Sequence, residues 1–403
     1  MQKFEKHSPV VVTEVTTKHE LRQFMQYPNR LYADNPNYIP SFYGDDLSDW
    51  TPGKNPAFDY CEARCWLAWR DGEIVGRIGA ILSHKANDKF GTHRMRFSQV
   101  DFVDDSEVSA ALFGTVERWA RQKGCDQVHG PLGFTDMDRE GMLVEGFDRR
   151  SLFITNYNAP YYPEHLTRLG YRKDVDWIEY RISVPAPGGA EAERLHKLSE
   201  FILKRKHLHV ATLHHKSEYG PFVRQVFELV NAAYAPLYGV VELSDEQIER
   251  YANKFIPLVD PDFVCFVLDE QDKLVAFGVT TLDPSPALKH SDGRLFPFGW
   301  AEVLNDLHHG DTLIMLLTAV RPDLQTEGIN AVMMDHVCQS CNRHGVQFAE
   351  TGPMLELNDH ILAQWKRLEK EQHKRRRCFI KDLDHGINAA NAAAAAQAEA
   401  PEA

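Results

Sequence analysis

Apolar positions along the chain gather into short runs that read as strands, separated by stretches with helical periodicity. The run TLIMLLTAV, Thr312 to Val320, is β-branched and Leu-rich and predicts a buried strand; the residues after Gly328 predict a helix over about Ile329 to His344 that stops at Gly345. Before them, DFVCFVLDEQDKLVAFGVTTL, Asp262 to Leu282, reads as two strands, and after them VQFAETGP reads as a third. The same order is present in the first half. RCWLAWRDGEIVGRIGAIL, Arg64 to Leu82, predicts a hairpin turning at Asp71-Gly72. Glu107 to Lys123 predicts a helix stopping at Gly124, and CDQVHGP a strand that ends, like its counterpart, at Gly-Pro. Ile74-Val75-Gly76 is answered by Leu274-Val275-Ala276. Each half therefore reads as strand, helices, hairpin, strand, helix, strand, helix, final strand. The expected fold class is α/β (α+β), with two mixed, mostly antiparallel central sheets and one parallel crossover in each.

The Pro/Gly stretch VPAPGG, Val184 to Gly189, separates the halves and gives expected domains over 1–187 and 188–387, the second opening with a helix at Glu191 to Lys206. The tail from Asn388 to Ala403 is low in complexity, has no apolar face, and is expected to be disordered or a frayed helix. Two segments are longer than a connection needs. Gly130 to Asp148 combines acids, aromatics and glycines and leads into Asn156 to Tyr171, where Tyr157, Tyr161 and Tyr162 supply amphipathic rings; it suits a substrate pocket or lid, or a loop that only closes the fold. The insertion Pro284 to Asp311 carries Leu288, Leu295, Phe296, Phe298 and Trp300, which suit the wall of an acyl-chain pocket or an extra helix patching the core. Lys374-Arg375-Arg376-Arg377 leads into the last strand and reads as a solvated sheet edge, or as a contact to phosphates or an anionic membrane.

Composition narrows the function classes. With 45 basic and 58 acidic residues in 403, a net charge of −13 argues against nucleic acid as a partner. No signal-like apolar segment follows Met1 and no apolar run reaches the length of a membrane span, so a cytoplasmic location is expected. Seven scattered cysteines are odd in number and read as reduced thiols; Cys338-x-x-Cys341 lies within a helical pattern and lacks a second ligand pair. No His-x-x-x-His pair accompanies a glutamate, so no metal is expected.

The candidate chemistry sits where the strand Thr312 to Val320 meets the following helix. Gly328 lets the backbone approach a ligand closely, and free N–H groups at a helix start favour a phosphate. Val-x-Pro followed by Gln-x-x-Gly-x-Asn, Gln325 to Asn330, resembles the acetyl-CoA signature of the GNAT superfamily of N-acyltransferases, departing from it at Asn330, where Gly or Ala is usual. The resemblance implies two tandem GNAT-like domains and an acyl-CoA co-substrate held by Leu317, Thr318, Ala319, Val320, Gln325, Thr326, Glu327, Gly328, Ile329 and Asn330. Only the second half carries the turn; the first offers Asp104, Asp105 and Glu107 there instead. Direct attack of an amine on a thioester needs an oxyanion donor, implied near Leu317 to Ala319, and a base for the ammonium proton. Base candidates are Glu350, Glu302 and Asp136 or Asp138, with His308 and His309 as weaker alternatives.

LRQFMQYPNRLYADNPNYIP, GPLGFTDMDREG, PYYPEHLTRLGY and GRLFPFGW extend the resemblance across nearly the whole chain, to the bacterial ceramide synthase-like family of GNAT proteins. That resemblance implies N-acylation of a sphingoid amine from a fatty acyl-CoA, with peripheral membrane contact. The alternatives are N-acetylation of a small amine, amino acid or protein, and a non-catalytic acyl-CoA-binding regulator.

Overall fold

The computed structural model describes residues 8–383; the Ala-rich tail lies outside them. The first half runs β1 (Val11–Glu14), α1 (Lys18–Leu31), α2 (Tyr43–Asp49), β2 (Cys61–Arg70), β3 (Glu73–Ser83), α3 (His84–Phe90), β4 (Arg94–Phe102), α4 (Ser106–Gln122), β5 (Gln127–Gly130), β6 (Met142–Glu145), α5 (Tyr161–Arg168) and β7 (Arg172–Ser183). The second runs α6 (Ala190–Lys206), β8 (His209–Val210), α7 (Gly220–Tyr234), α8 (Asp245–Phe255), β9 (Val264–Leu268), β10 (Leu274–Leu282), α9 (Ser285–His290), α10 (Gly299–His309), β11 (Thr312–Val320), α11 (Asn330–His344), β12 (Phe348–Thr351), β13 (Met354–Leu355), α12 (Asp359–Ala363) and β14 (Lys370–Asp382). The repeat read from the sequence is therefore present, but the two mixed sheets expected are one continuous sheet: β4 pairs β5 and β11 pairs β12 in parallel, and the remaining pairs are antiparallel.

The halves are joined through their last strands. The sheet order is β1-β2-β3-β4-β5-β14-β7-β12-β11-β10-β9-β8, so β14 from the second half lies against β5 of the first, and β7 from the first lies against β12 of the second. The short strands follow the exchange, β6 pairing β14 and β13 pairing β7. A solvated edge is thereby overturned for Lys374 to Arg377: they lie in the middle of the sheet, and Lys374 and Arg376 are fully buried. Their charge is met there by Glu179, whose Oε1 lies 2.5 Å from Arg376 Nε, by Glu350, 3.2 Å from Lys374, and by Asp176, which pairs with Arg375 and Arg377. Burying ions is costly unless each meets an opposite charge at close range. Charged residues on a central strand are thus explained by charged residues on its neighbours.

Helices cover both faces. α4 packs Val108, Leu112, Phe113 and Val116 against the first-half strands, where Phe97, Phe102 and Ile78 are buried. In the second half α7 and α8 cover one face through Phe227, Val230, Ile248 and Tyr251, while α6 and α11 cover the other through Ile202, Val332 and Met333. Asp105 caps α4 by accepting from the N–H groups of Glu107 and Val108, and Thr17 closes a capping box with Glu20 on α1. Among the described residues no helix is long and apolar enough to cross a membrane.

Candidate active site

β11 and β12 run in register from Thr312↔Phe348 to Met315↔Thr351 and then separate. One extra residue, Leu316, is accommodated between the pairs Val279↔Leu317 and Thr280↔Met315 of β10 and β11, and this bulge turns β11 away from its neighbour. β12 meanwhile gives way to Gly352-Pro353, and a proline cannot continue the ladder. From Leu316 to Val320 the β12-facing side of β11 is therefore without a strand partner.

Two apolar cavities, each of about 260 Å³, open at this gap. One extends toward α11 and α12, between Ile182, Met334, Val337 and Trp365. The other extends beneath α7 and α8, between Val226, Phe227, Ala252 and Phe266. They share Leu316, Leu317, Val279, Tyr234, Trp177, Gly352 and Pro353, together with two carboxylates, Asp136 and Glu140.

Both carboxylates come from the first half, on the loop between β5 and β6. That loop doubles back tightly, since a Cβ on Gly133 would stand 2.2 Å from Asp138 Cβ. Asp138 holds the turn by accepting from the N–H groups of Phe134 (2.7 Å) and Thr135 (3.2 Å). Tyr251 on α8 fastens it to the second half, its hydroxyl 2.6 Å from Thr135 Oγ1 and donating to Asp138 at 3.3 Å. Asp138 borders only the second cavity and is occupied as a brace, whereas Asp136 and Glu140 line both. Burial pushes Glu140 up to about 8, helped by the negative charge of Asp136, and burial pushes Asp136 up to about 6. Tyr234, at the end of α7, donates to the carbonyl of Thr318 at 2.8 Å; burial raises its hydroxyl well above the ordinary tyrosine value, so it stays protonated.

The other residues singled out from the sequence fall in three places. Leu317 and Thr318 line the gap, while Ala319 and Val320 are buried in the cores on opposite sides of β11. Gln325, Thr326, Glu327 and Gly328 form the exposed turn before α11, with Gly328 at φ 80° and Gln325 donating to the Val320 carbonyl. Ile329 is buried beneath the turn and Asn330 reaches the first cavity. α11 has no side-chain cap; the N–H groups of Ala331 and Val332 turn back to the carbonyls of Gly328 and Ile329. Glu350 lies beside the gap, but strand alternation turns it from the side where Ala349 and Thr351 meet the cavity, toward Lys374 and His373. Glu302 is on α10 in a surface pair with His290 at 2.7 Å, away from both cavities. His308 and His309 are exposed at the end of the same helix. Leu288 is buried and Leu295 half-buried beneath the insertion, but Phe296, Phe298 and Trp300 point outward.

Glu140, Tyr234 and Trp177 were not legible as site residues. The one signal for Glu140 was the acid- and glycine-rich character of its loop, which points equally to all its carboxylates. One further cluster brings metal-capable donors together: His129, Asp174 and Cys378 lie with their ligand atoms within 4.8 Å of one another. The Tyr238 hydroxyl sits among them, 3.0 Å from His129, 2.5 Å from Asp174 and 3.5 Å from Cys378, and burial pushes His129 down to about 4.

No known protein-family profile matches the chain. Protein YghO of Escherichia coli K12 is 27% identical over 383 residues, spanning 93% of this chain and 95% of that protein. The bacterial ceramide synthase of Caulobacter vibrioides is 28% identical over 299 residues, 73% of this chain and 75% of its own. Among solved structures, a tandem GNAT protein from the clavulanic acid biosynthesis pathway superimposes with a TM-score of 0.53 at 13% identity, over 93% of this chain and 99% of that one. The glucosamine N-acetyltransferase region of a fungal β-N-acetylglucosaminidase gives 0.54 at 11% identity, over 94% and 38%. The chain has the tandem GNAT fold.

Proposed function

From a tandem GNAT fold, we propose an acyl-CoA-dependent N-acyltransferase acting on a long-chain amine of the sphingoid type. The carrying observation is the gap between β11 and β12, which opens onto two apolar cavities and meets two carboxylates of raised pKa where they join. The CoA pyrophosphate lies against the turn Gln325 to Asn330 and the start of α11. The thioester enters the gap, and main-chain N–H near Leu317 to Ala319 faces its carbonyl oxygen. One cavity takes the acyl chain and the other the aliphatic part of the amine, each gaining free energy by removing apolar surface from water.

The amine attacks the carbonyl carbon directly. The C–N bond forms as the C–S bond breaks, Glu140 takes the amine proton with Asp136 beside it, and the departing CoA thiolate takes a proton from water. A base with a pKa near 8 suits this step, being close to the working pH while still strong enough to accept the proton. Similarity to a protein named bacterial ceramide synthase supports the sphingoid acceptor. Peripheral membrane contact follows from an acceptor that resides in a bilayer.

Thiol release by the purified protein tests the reading, crossing acetyl-, myristoyl- and palmitoyl-CoA with sphinganine and 3-ketosphinganine. Release that requires both a long-chain donor and a sphingoid amine is the expected result. Silence with every pair despite CoA binding would overturn it in favour of an acyl-CoA-binding regulator. Gly328→Trp should weaken CoA binding by roughly a hundredfold, because a side chain there is strained at φ 80° and crowds the anion turn; unchanged affinity by calorimetry would remove the turn from the site.

A further inference from the structure

We infer that the tip of the α9–α10 insertion is a wedge that docks the protein on a lipid bilayer. The inference rests on the long-chain reading above. Phe296 is 80% exposed, Phe298 75%, Trp300 47% and Leu304 42%, four large apolar side chains within a single turn and the start of α10. Most large apolar side chains exposed on a soluble protein are scattered, and a contiguous group of this kind marks an interaction site.

The tip is built to stand out rather than to fold back. Gly293 packs so closely on the first half that a Cβ there would meet the Ser41 carbonyl oxygen, and its own carbonyl accepts from Tyr43 N–H at 3.1 Å. Asn29 donates to the Asp292 carbonyl, and the Trp300 indole donates to the Pro297 carbonyl at 3.1 Å. The rings are thus presented on a fixed base, and exposures of 80% and 75% place them clear of the neighbouring surface. A projecting aromatic tip needs a deformable apolar medium, and Trp and Phe favour the boundary between headgroups and acyl chains.

The same segment reaches the site from its other side. Leu288, Leu295, Val303 and Leu307 pack with Ile154 and Leu316, and Leu316 lines both cavities. The rim is electrically mixed, with Arg294 near Asp292 and His290 paired to Glu302. Apolar insertion, rather than attraction to anionic headgroups, accordingly drives the association.

Sedimentation with vesicles of phosphatidylcholine, with and without phosphatidylglycerol, tests the wedge. The full chain should pellet with both kinds, with little effect of added salt. Phe296→Ser/Phe298→Ser/Trp300→Ser should lower the partition roughly tenfold or more, since three apolar side chains no longer leave water. Phe201→Ser, at an exposed ring on α6, should change nothing. Equal pelleting of the triple variant, or no pelleting of the natural chain, overturns the proposal. A change of mass in analytical ultracentrifugation without any change in vesicle binding assigns the tip to a second copy of the chain and also overturns it. The wedge and the acyltransferase reading fail separately, because vesicle binding needs no turnover and thiol release from palmitoyl-CoA with sphinganine dispersed in detergent needs no vesicle.

Discussion

β4 and β11 hold the same place in the two halves and both part from a parallel neighbour, yet one gap is filled and the other is open. β4 runs with β5 from Arg94↔Gln127 to Arg96↔His129 and then separates, as β11 does from β12. Both carry an irregularity against the preceding strand at the separation. In the first half Arg77 spans the gap, donating to Asp101 at 2.7 Å, to the Phe24 carbonyl at 3.0 Å and to Gln99 at 3.0 Å. Only about 30 Å³ remains there, against about 260 Å³ in each second-half cavity. By the match of Ile74-Val75-Gly76 to Leu274-Val275-Ala276, the place of Arg77 is taken in the second half by Phe277, buried beneath α7.

The helix starts differ in the same sense. Asp105 caps α4, and Arg70 pairs with both Asp105 (2.6 Å) and Glu107 (2.7 Å). A phosphate there would meet two carboxylates already paired with the only nearby guanidinium. α11 has no such cap. One fold thus offers an anion turn and a strand gap by default, and charged side chains decide whether they remain available. The first half keeps its architecture and contributes to the cavities through β7, which carries Trp177 and Ile182, and through the loop that carries Asp136 and Glu140.

The largest expected effect tests that contribution. Glu140→Gln should lower kcat/KM by roughly 10² to 10⁴-fold, the range for losing a general base, while leaving CoA affinity unchanged. The carboxylate form grows as pH rises, so kcat/KM should climb between about pH 6 and 8, bounded by Asp136 and Glu140, and the climb should vanish in the variant. A variant that keeps the natural profile would return the first half to a purely architectural role.

Removing the plug comes next. Arg77→Met strands Asp101 without its partner and should cost about 3–5 kcal/mol in denaturant unfolding. Burial already raises the Asp101 pKa. A carboxyl whose folded pKa lies above the unfolded value favours folding most when protonated, so the loss should shrink as pH falls toward about 4 and grow as pH rises. CoA titration sharpens the comparison: one equivalent should bind before and after, and a second equivalent in the variant would show that Arg77 alone keeps the first gap from being a site.

The repeat itself was legible, because hairpin turns, glycine helix stops and apolar runs are local patterns with local causes. The turn before α11 was legible for the same reason. Asp136 could be proposed from its loop, but its separation from Asp138 could not, since the difference lies in two N–H groups that bind one carboxylate and in Tyr251, more than a hundred residues away. The strand exchange was not legible either. Lys374 and Arg376 look solvated until Glu179 and Glu350 are known to face them, and that pairing joins distant parts of the chain. Glu350 lies on β12 beside β11, as its place in the sequence implied, while its contact with the buried lysine on β14 was hidden for the same reason.

The smallest expected effect concerns the cavities themselves. Leu316 is the extra residue of the β11 bulge and borders both, so a larger side chain there should narrow the space for chains without touching the turn that would hold CoA. Leu316→Trp should reduce thiol release from palmitoyl-CoA about tenfold relative to myristoyl-CoA, because discrimination by methylenes in an apolar pocket is worth only about 1–3 kcal/mol. The myristoyl-CoA rate serves as the internal reference, so a general loss of folding would lower both rates together and leave the ratio unchanged. The corresponding change in the first half, Gln99→Leu, should leave the ratio alone, since that gap is filled by Arg77 and takes no chain. An equal ratio in Leu316→Trp and the natural protein would mean that acyl chains do not pass the bulge, and the open gap would then distinguish the halves in shape but not in what they bind.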